Sequence, residues 1–112
     1  MEKYFVKPLL AYNKAYFVEA TFRQVKNPKH ENFGEWHGST DMQYNPFFEA
    51  FSDREYFSIE EAQETLTELG FFEVKENFDS HSIADIEEIK ERLSPEFYEN
   101  YKAWDEYYSK GN

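Results

Sequence analysis

The sequence predicts an α+β fold in which an N-terminal β-hairpin and a third strand pack against three helices, in the order ββ-loop-αβαα. Three observations lead to this expectation. Apolar and polar side chains alternate over the first 25 residues, helix start and stop signals recur from Ser58 onward, and 21% of the residues are aromatic. Large rings can build a core where aliphatic residues are scarce, so the mean hydropathy of -0.89 does not indicate disorder. A chain of 112 residues has room for one domain, residues 1–112.

The first two strands are predicted over Lys3–Tyr12 and Ala15–Val25, two segments rich in β-branched and aromatic residues. Asn13 and Lys14 lie between them. Asparagine tolerates the positive φ of a tight hairpin turn, so the pair predicts a β-hairpin. Pro8 lacks the N–H that a ladder needs, which favours an edge strand or a bulge at that point.

Residues 27–57, called the aromatic loop below, form the least regular part of the sequence. Turn signals at Asn27-Pro28, Gly34, Gly38 and Asn45-Pro46 interrupt the segment, although it carries eight aromatic residues. Asn45-Pro46 can begin a short helical turn that runs through Phe51. Two interpretations stay open: the loop packs over the sheet, or it binds a partner.

A first long helix is predicted between Ser58 and Gly70. Ser58-Ile59-Glu60-Glu61 has the form of a capping box, and Gly70 is a typical helix stop. The apolar residues between them fall on one side and the glutamates on the other, which is an amphipathic pattern. The segment Phe71–Phe78 alternates again and predicts the third strand.

Two further helices complete the predicted fold. Ser82 is expected to cap one of them, and Ser94-Pro95 begins the last with a cap and a proline at the first helical position. In that last helix Trp104 is predicted to point inward, on one stripe with Phe97, Tyr101 and Tyr108.

The net charge of -11 is unevenly distributed along the chain. Residues 1–30 hold six basic and two acidic residues, a net of +4, whereas residues 31–112 hold six basic and 21 acidic residues, a net of -15. Phosphate neutralisation supplies most of the energy of nucleic-acid binding, so an acidic chain is not expected to bind nucleic acid directly. The acidity favours a cationic protein partner, although it can also serve solubility alone.

The sequence contains no pattern typical of a cofactor site or a secreted protein. The absence of cysteine excludes disulfides, thiolate zinc sites and a cysteine nucleophile. The N-terminus lacks the basic and apolar segments of a signal peptide, and no apolar run approaches the length of a membrane helix, so the expected location is the cytoplasm.

No residue pattern in the sequence is typical of a metal site or a catalytic site. His30, His37 and His81 match no zinc-binding spacing, and histidines on surface loops are the favoured interpretation. His37, Ser39 and Asp41 have the residue types of a catalytic triad, but neighbours in a short segment rarely meet side chain to side chain. No carboxylate pair stands out among 23 acidic residues. We therefore expect neither an enzyme nor a bound cofactor or metal.

The glutamate-rich faces of the helices are the strongest functional pattern. The helix after Ser58 holds four Glu and no Lys or Arg, whereas ordinary solvated helices mix both signs and gain stabilising pairs four residues apart. Carboxylates along these helices, together with one tryptophan, are the expected partner-binding residues: Glu60, Glu64, Glu68, Glu87, Glu88, Glu91, Glu99, Glu106 and Trp36.

These features predict a small inhibitory binding protein of the kind encoded by phages and mobile elements. Its expected partner is a protein with a basic surface, namely a nucleic-acid-binding host defence protein such as a nuclease, which it would block by imitating nucleic acid. An immunity protein that neutralises a cationic bacterial toxin is the alternative, and a housekeeping interaction domain is a second. In size, acidity and lack of cysteine the chain resembles the first two classes as classes only, since no motif belongs to either. The oligomeric state stays open, as does the choice between helices and aromatic loop as the contact surface.

Overall fold

A computed structural model describes residues 1–12, 14–41, 44–75, 78–80 and 82–110, the last three of these by their backbone. The expectations for Asn13, for His81 and for the side chain of Tyr108 lie outside these described residues. Four strands are present: β1 at Glu2–Ala11, β2 at Lys14–Gln24, β3 at Trp36–Thr40 and β4 at Phe72–Val74. They form one antiparallel sheet in the order β3-β2-β1-β4. With the helices described below, this arrangement confirms the predicted α+β class.

The predicted hairpin corresponds to β1 and β2, and the predicted third strand is the shorter β4. In the strand order β1 lies between β2 and β4, so the strand as a whole is not at the edge of the sheet, which was one of the two alternatives for Pro8. The register between β1 and β4 pairs Tyr4 with Val74 and ends where Val6 meets Phe72. Pro8 lies beyond these pairs, so its missing N–H removes none of their hydrogen bonds.

Strand β3 lies inside the aromatic loop and was not predicted. It pairs antiparallel with β2, from Ala20 opposite Thr40 to Gln24 opposite Trp36. The strand has only five residues with a glycine at its centre, which is a weak strand signal by itself. Pairing with β2, a long strand with clear apolar and polar alternation, makes this segment a strand. The β-propensity of its own residues does not report that pairing.

Four helices accompany the sheet: α1 at Asn45–Ala50, α2 at Ile59–Leu69, α3 at Ile83–Ile89 and α4 at Pro95–Lys110, with a 3₁₀ turn at Lys90–Arg92. The helical turn expected after Asn45-Pro46 is α1. The capping box of α2 is confirmed, since the Ser58 hydroxyl accepts from the N–H of Glu61 and the Glu61 carboxylate accepts from the N–H of Ser58. Gly70 ends α2 in the left-handed conformation, with φ 94°.

The other two predicted caps differ from each other. Ser94 accepts a hydrogen bond from the N–H of Phe97 at 3.1 Å, as a capping serine does. Ser82 occupies the cap position of α3 but makes no side-chain capping bond. Ser82 and Ser94 thus both stand at the predicted cap positions, but only Ser94 makes the capping hydrogen bond.

The contacts divide the chain into two compact units. The first unit comprises Met1–Lys7 and Val18–Glu76, and the second comprises Pro8–Phe17 and Asn77–Asn112. That residues 1–112 behave as one domain stays a prediction. In the first unit, a cluster of rings forms much of the core, with centroids 4.8 Å apart for Phe47 and Phe51 and 5.0 Å apart for Phe51 and Phe57.

The second unit is built around Phe17, whose ring centroid lies 5.0 Å from that of Phe97 and 6.1 Å from that of Tyr101. The Tyr101 hydroxyl donates to the backbone carbonyl of Ser80, and burial raises the pKa of Tyr101 to about 12. Phe97 and Tyr101 are buried as predicted. Trp104 is only half-buried, with the Lys14 ammonium 4.4 Å from its ring centroid, so it is less enclosed than Phe97 and Tyr101.

Candidate functional site

Helix α2 presents a row of carboxylates along one side. Ala62 and Leu66 are fully buried on the inner side, which directs Glu60, Glu64 and Glu68 outward, where all three are exposed. Successive members are four residues apart, so their Cα atoms are separated by about 6 Å along the helix axis. Within the part of the chain that the structure describes, none of the three forms an ion pair. We call these three residues the α2 acidic row.

The ends of α2 are stabilised by one member of this row and by groups outside it. Glu60 and Glu61 lie in the first turn, where negative charge interacts favourably with the helix dipole. The last turn of α2 contains no basic residue, but Lys7 from β1 donates to the carbonyl of Leu69 at 2.7 Å. The Leu69 carbonyl, next to Glu68 at the end of α2, therefore has a hydrogen-bond donor in the Lys7 ammonium of β1.

The predicted acidic residues of the second unit are also exposed, but cations accompany them. These residues are Glu87 and Glu88 in α3, Glu91 in the 3₁₀ turn, and Glu99 and Glu106 in α4. Lys90 forms an ion pair with Glu87 at 3.4 Å, and the ammonium groups of Lys90 and Lys102 lie 5.9 Å and 5.4 Å from the ring centroid of Tyr98. The expected shortage of lysine therefore applies to α2 and not to this surface.

Glu87 differs from an ordinary surface carboxylate because Tyr98 donates a hydrogen bond to it. That bond is the main cause that lowers the pKa of Glu87, with Lys90 adding to the effect. The same bond raises the pKa of Tyr98 to about 12, because losing the phenolic proton next to a carboxylate is unfavourable. Glu87 is thus engaged inside its own unit and is a weaker candidate for partner contact than its neighbours.

Trp36 does not lie at a surface that a partner can reach. Its side chain is buried, at 4% exposure, and its backbone exchanges two hydrogen bonds of 2.8 Å with Phe57. Trp36 is the first residue of β3, and its place in that strand directs the side chain inward. The prediction of an aromatic loop did not include this strand. Trp36 is a core residue, which contradicts its prediction as a contact residue.

A half-open cavity of about 430 Å³ lies in the first unit and was not foreseen as a site. Its apolar lining consists of five phenylalanines: Phe22, Phe47, Phe48, Phe51 and Phe57. Polar groups from His37, Ser52, Arg54 and Glu55 lie around it. All of these except Phe22 belong to the aromatic loop, so the density of aromatic residues in that segment was the signal that could have indicated the cavity. A volume of this size is within the range of ligand-binding pockets.

Arg54 is fixed at the mouth of this cavity, which we call the phenylalanine cavity. Its guanidinium forms an ion pair with Glu61 of α2 and lies 4.9 Å from the ring centroid of Phe57. A second carboxylate, that of Asp53, is 3.9 Å from its Nε. Glu55 forms no ion pair with any residue that the structure describes. The rim therefore combines a neutralised arginine with an unpaired carboxylate.

The histidines within the described chain serve local structure. His30 accepts a hydrogen bond from the N–H of Asn32 at 2.9 Å, and its Nε2 lies 3.4 Å from the Tyr56 hydroxyl. The ring of His37 meets the same tyrosine edge-on, with centroids 5.9 Å apart. Among the described residues, no group of three or more His, Asp or Glu side chains is arranged to hold a metal ion.

In the segment from His37 to Asp41, which has the residue types of a catalytic triad, Thr40 and Asp41 form structural hydrogen bonds. The Asp41 carboxylate accepts from the N–H of Glu19 at 2.7 Å, and the Thr40 hydroxyl donates to the carbonyl of Glu19 at 3.0 Å. These bonds join the end of β3 to β2. Asp41 is thus occupied with the backbone, in agreement with the turn or capping role that its sequence context indicates.

Two surfaces of the first unit thus stand out, the α2 acidic row and the phenylalanine cavity. No helix in the described residues is both long and apolar enough to cross a membrane. Comparison with known proteins finds no matching family model, no matching curated protein and no matching solved structure.

Proposed function

We propose that this protein acts by binding a protein with a basic surface and blocking it, with the α2 acidic row as the principal contact. The observation that carries the proposal is the exposure of Glu60, Glu64 and Glu68 on a helix without a single Lys or Arg. Binding by such a surface requires a partner that supplies the missing cations.

The free-energy balance of the row supports a binding role. Like charges four residues apart destabilise a helix by about 0.2–0.5 kcal/mol per pair, and the row contains two such pairs, Glu60 with Glu64 and Glu64 with Glu68. Among the described residues, these carboxylates form no ion pair. A cationic partner removes the repulsion and adds attraction, so the same residues that weaken the free helix strengthen the complex.

The proposed partner is a nucleic-acid-binding host defence protein such as a nuclease, blocked in the manner of phage and mobile-element inhibitors. Such proteins carry basic grooves shaped for a regular row of negative charge. One carboxylate per rise of about 6 Å gives roughly half the axial charge density of a single DNA strand, which carries one charge per 3.4 Å. The α2 row can therefore imitate a short stretch of one strand. This activity places the protein in the cytoplasm with its target.

An immunity protein against a cationic toxin would use the same surface. The identity of the partner distinguishes the two functions, since one is a host nucleic-acid-handling protein and the other a basic toxin. Both are binding functions without catalysis. We therefore expect inhibition to be stoichiometric and to survive His37→Ala, whereas inhibition with turnover that this change abolishes would contradict a binding mechanism.

The decisive experiment compares two triple charge reversals in an affinity capture from a host lysate, with the partner identified by mass spectrometry. One variant carries Glu60→Lys, Glu64→Lys and Glu68→Lys, and the other carries Glu87→Lys, Glu88→Lys and Glu91→Lys. Both change the net charge equally, so they form a matched pair. Loss of a basic partner with the α2 variant alone supports the proposal. Loss with the second variant alone would move the contact to α3, and capture of an acidic or neutral partner by both would overturn it.

A further inference from the structure

The phenylalanine cavity has the composition of an anchor pocket in a protein interface. Its inner rings are buried, with Phe22 at 0%, Phe47 at 3% and Phe57 at 6% exposure, whereas Phe48 at its edge is 48% exposed. Interfaces of this kind concentrate their binding energy in a few large side chains that fill apolar pockets, with polar groups at the rim.

The rim charge determines which side chains can approach. Arg54 is neutralised by its ion pair with Glu61 and is held against the ring of Phe57. Glu55 is left as an unpaired carboxylate among the described residues. The mouth of the cavity is therefore negative, and a segment that carries acidic residues would be repelled.

Glu61, which is not part of the α2 acidic row but shares its helix, lies at this mouth. Glu61, Glu64 and Glu68 lie at intervals of three and four residues, so they share one side of α2, and Glu61 is the residue that contacts Arg54. A partner segment that follows the carboxylates of α2 toward its N-terminus therefore arrives at the phenylalanine cavity.

We infer that the phenylalanine cavity receives an aromatic or large aliphatic side chain of the partner, flanked by lysine or arginine residues that pair with Glu55 and the α2 acidic row. This inference rests on the proposed function, to which it adds the sequence character of the bound segment: an apolar anchor between basic residues. The cavity supplies the apolar contact, and the surrounding carboxylates supply the charge complementarity.

The test uses the full chain and three synthetic peptides, followed through backbone amide chemical shifts by NMR. The first peptide contains lysine and glycine with one central phenylalanine. The second replaces that phenylalanine by alanine, and the third replaces the lysines by glutamate. We expect the first to bind about tenfold more tightly than the second, because burying a phenyl ring contributes a factor of that order, and the third to show no binding. Shifts from the first peptide should centre on Gly38, Phe48 and Glu55.

A matched pair of variants locates the anchor. Phe48→Ala removes a ring from the cavity wall, whereas Phe33→Ala removes a ring of similar exposure, 55%, that lies outside the lining. The phenylalanine peptide should lose affinity about tenfold with Phe48→Ala and bind Phe33→Ala as it binds the unmodified protein. Thermal unfolding of both variants verifies that they remain folded.

The remaining outcomes separate this inference from the proposed function. Equal, salt-sensitive binding of the phenylalanine and alanine peptides would overturn the anchor pocket and leave the acidic row as the contact. Equal binding of the lysine and glutamate peptides would overturn both. Amide shifts at the cavity that depend on protein concentration without peptide would place a second copy of this chain there instead, and would overturn the anchor pocket.

Discussion

Phe22 on β2 lies directly opposite Gly38 on β3, and its ring fills the space that a β-carbon at position 38 would need. A Cβ built on Gly38 would lie 2.4 Å from the Cζ of Phe22, far inside van der Waals contact. The absent side chain thus allows the Phe22 ring to lie against the backbone of β3. This pairing forms part of the phenylalanine cavity, because both residues line it.

The first prediction concerns Gly38→Ala. The added methyl group forces the buried Phe22 ring to move within a packed cluster, and overpacking of this kind costs about 1–3 kcal/mol. The free energy of unfolding from denaturant titration should fall by that amount. Ser39→Ala, an exposed neighbour on the same strand, should stay within about 0.5 kcal/mol of the unmodified protein. Equal stability of both variants would mean that the ring does not occupy this space.

The second prediction compares two serines at helix N-termini. Ser58 bonds to the backbone of α2 through a complete capping box, whereas Ser82 at the start of α3 makes no side-chain capping bond. Ser58→Ala should therefore lower the free energy of unfolding by about 1 kcal/mol, and Ser82→Ala should change it by less than about 0.5 kcal/mol. Chemical denaturation of the two variants provides the comparison, and the reverse order of stabilities would contradict the observed caps.

The third prediction tests the repulsion within the α2 acidic row. Glu64 has a like charge four residues away on each side, so Glu64→Lys replaces two repulsive pairs by attractive ones. The free protein should become more stable by about 1–2 kcal/mol at low salt, and the gain should shrink at high salt because screening weakens exposed pairs. Glu64→Gln, which only removes the repulsion, should give a smaller gain. A loss of stability with Glu64→Lys would show that Glu64 has a stabilising partner.

The fourth prediction concerns Trp104 and its helix. Trp104 is half-buried, stacks with Tyr107 at 6.5 Å between centroids, and lies under the Lys14 ammonium. Trp104→Ala should therefore cost about 1–3 kcal/mol, less than Phe97→Ala, whose side chain is 2% exposed and should cost about 3–5 kcal/mol. Glu106→Ala is the surface control and should stay within about 0.5 kcal/mol. A larger loss with Trp104→Ala than with Phe97→Ala would place the tryptophan in the core.

The fifth prediction is a pH dependence at Glu87 and Tyr98. Because the folded state lowers the pKa of Glu87, its contribution to stability is present above the ordinary value of 4.5 and is lost as pH falls through the lowered pKa. The folded state raises the pKa of Tyr98 from its ordinary value of 10.0 to about 12. The contribution of Tyr98 to stability is therefore present below pH 10.0 and is lost as pH rises toward 12.

Tyr98→Phe removes the hydroxyl donor and tests the fifth prediction directly. Carboxyl titration by NMR should then show the pKa of Glu87 rising toward 4.5. Glu2, whose pKa is lowered mainly by a hydrogen bond from Tyr4, serves as the internal control and should not change. An unchanged pKa at Glu87 would mean that Lys90, and not Tyr98, controls its titration.

The sequence by itself determined the features that depend on neighbouring residues. The capping box at Ser58, the left-handed stop at Gly70 and the split of α2 into buried and exposed sides follow from local hydrogen bonds and the 3.6-residue period. The exposure of the predicted glutamates follows from the same periodicity. Such features need no knowledge of what the helix packs against.

Tertiary structure alone decided the features that depend on residues distant in the chain. Strand β3 exists because β2 pairs with it, Trp36 is buried because that pairing and Phe57 enclose it, and the phenylalanine cavity forms because Phe22 meets rings from residues 47–57. The sequence shows these rings as a dense aromatic segment but contains no signal for their mutual distances. The physical reason is that periodicity reports which side of an element is apolar, whereas a cavity is defined by how several such sides meet.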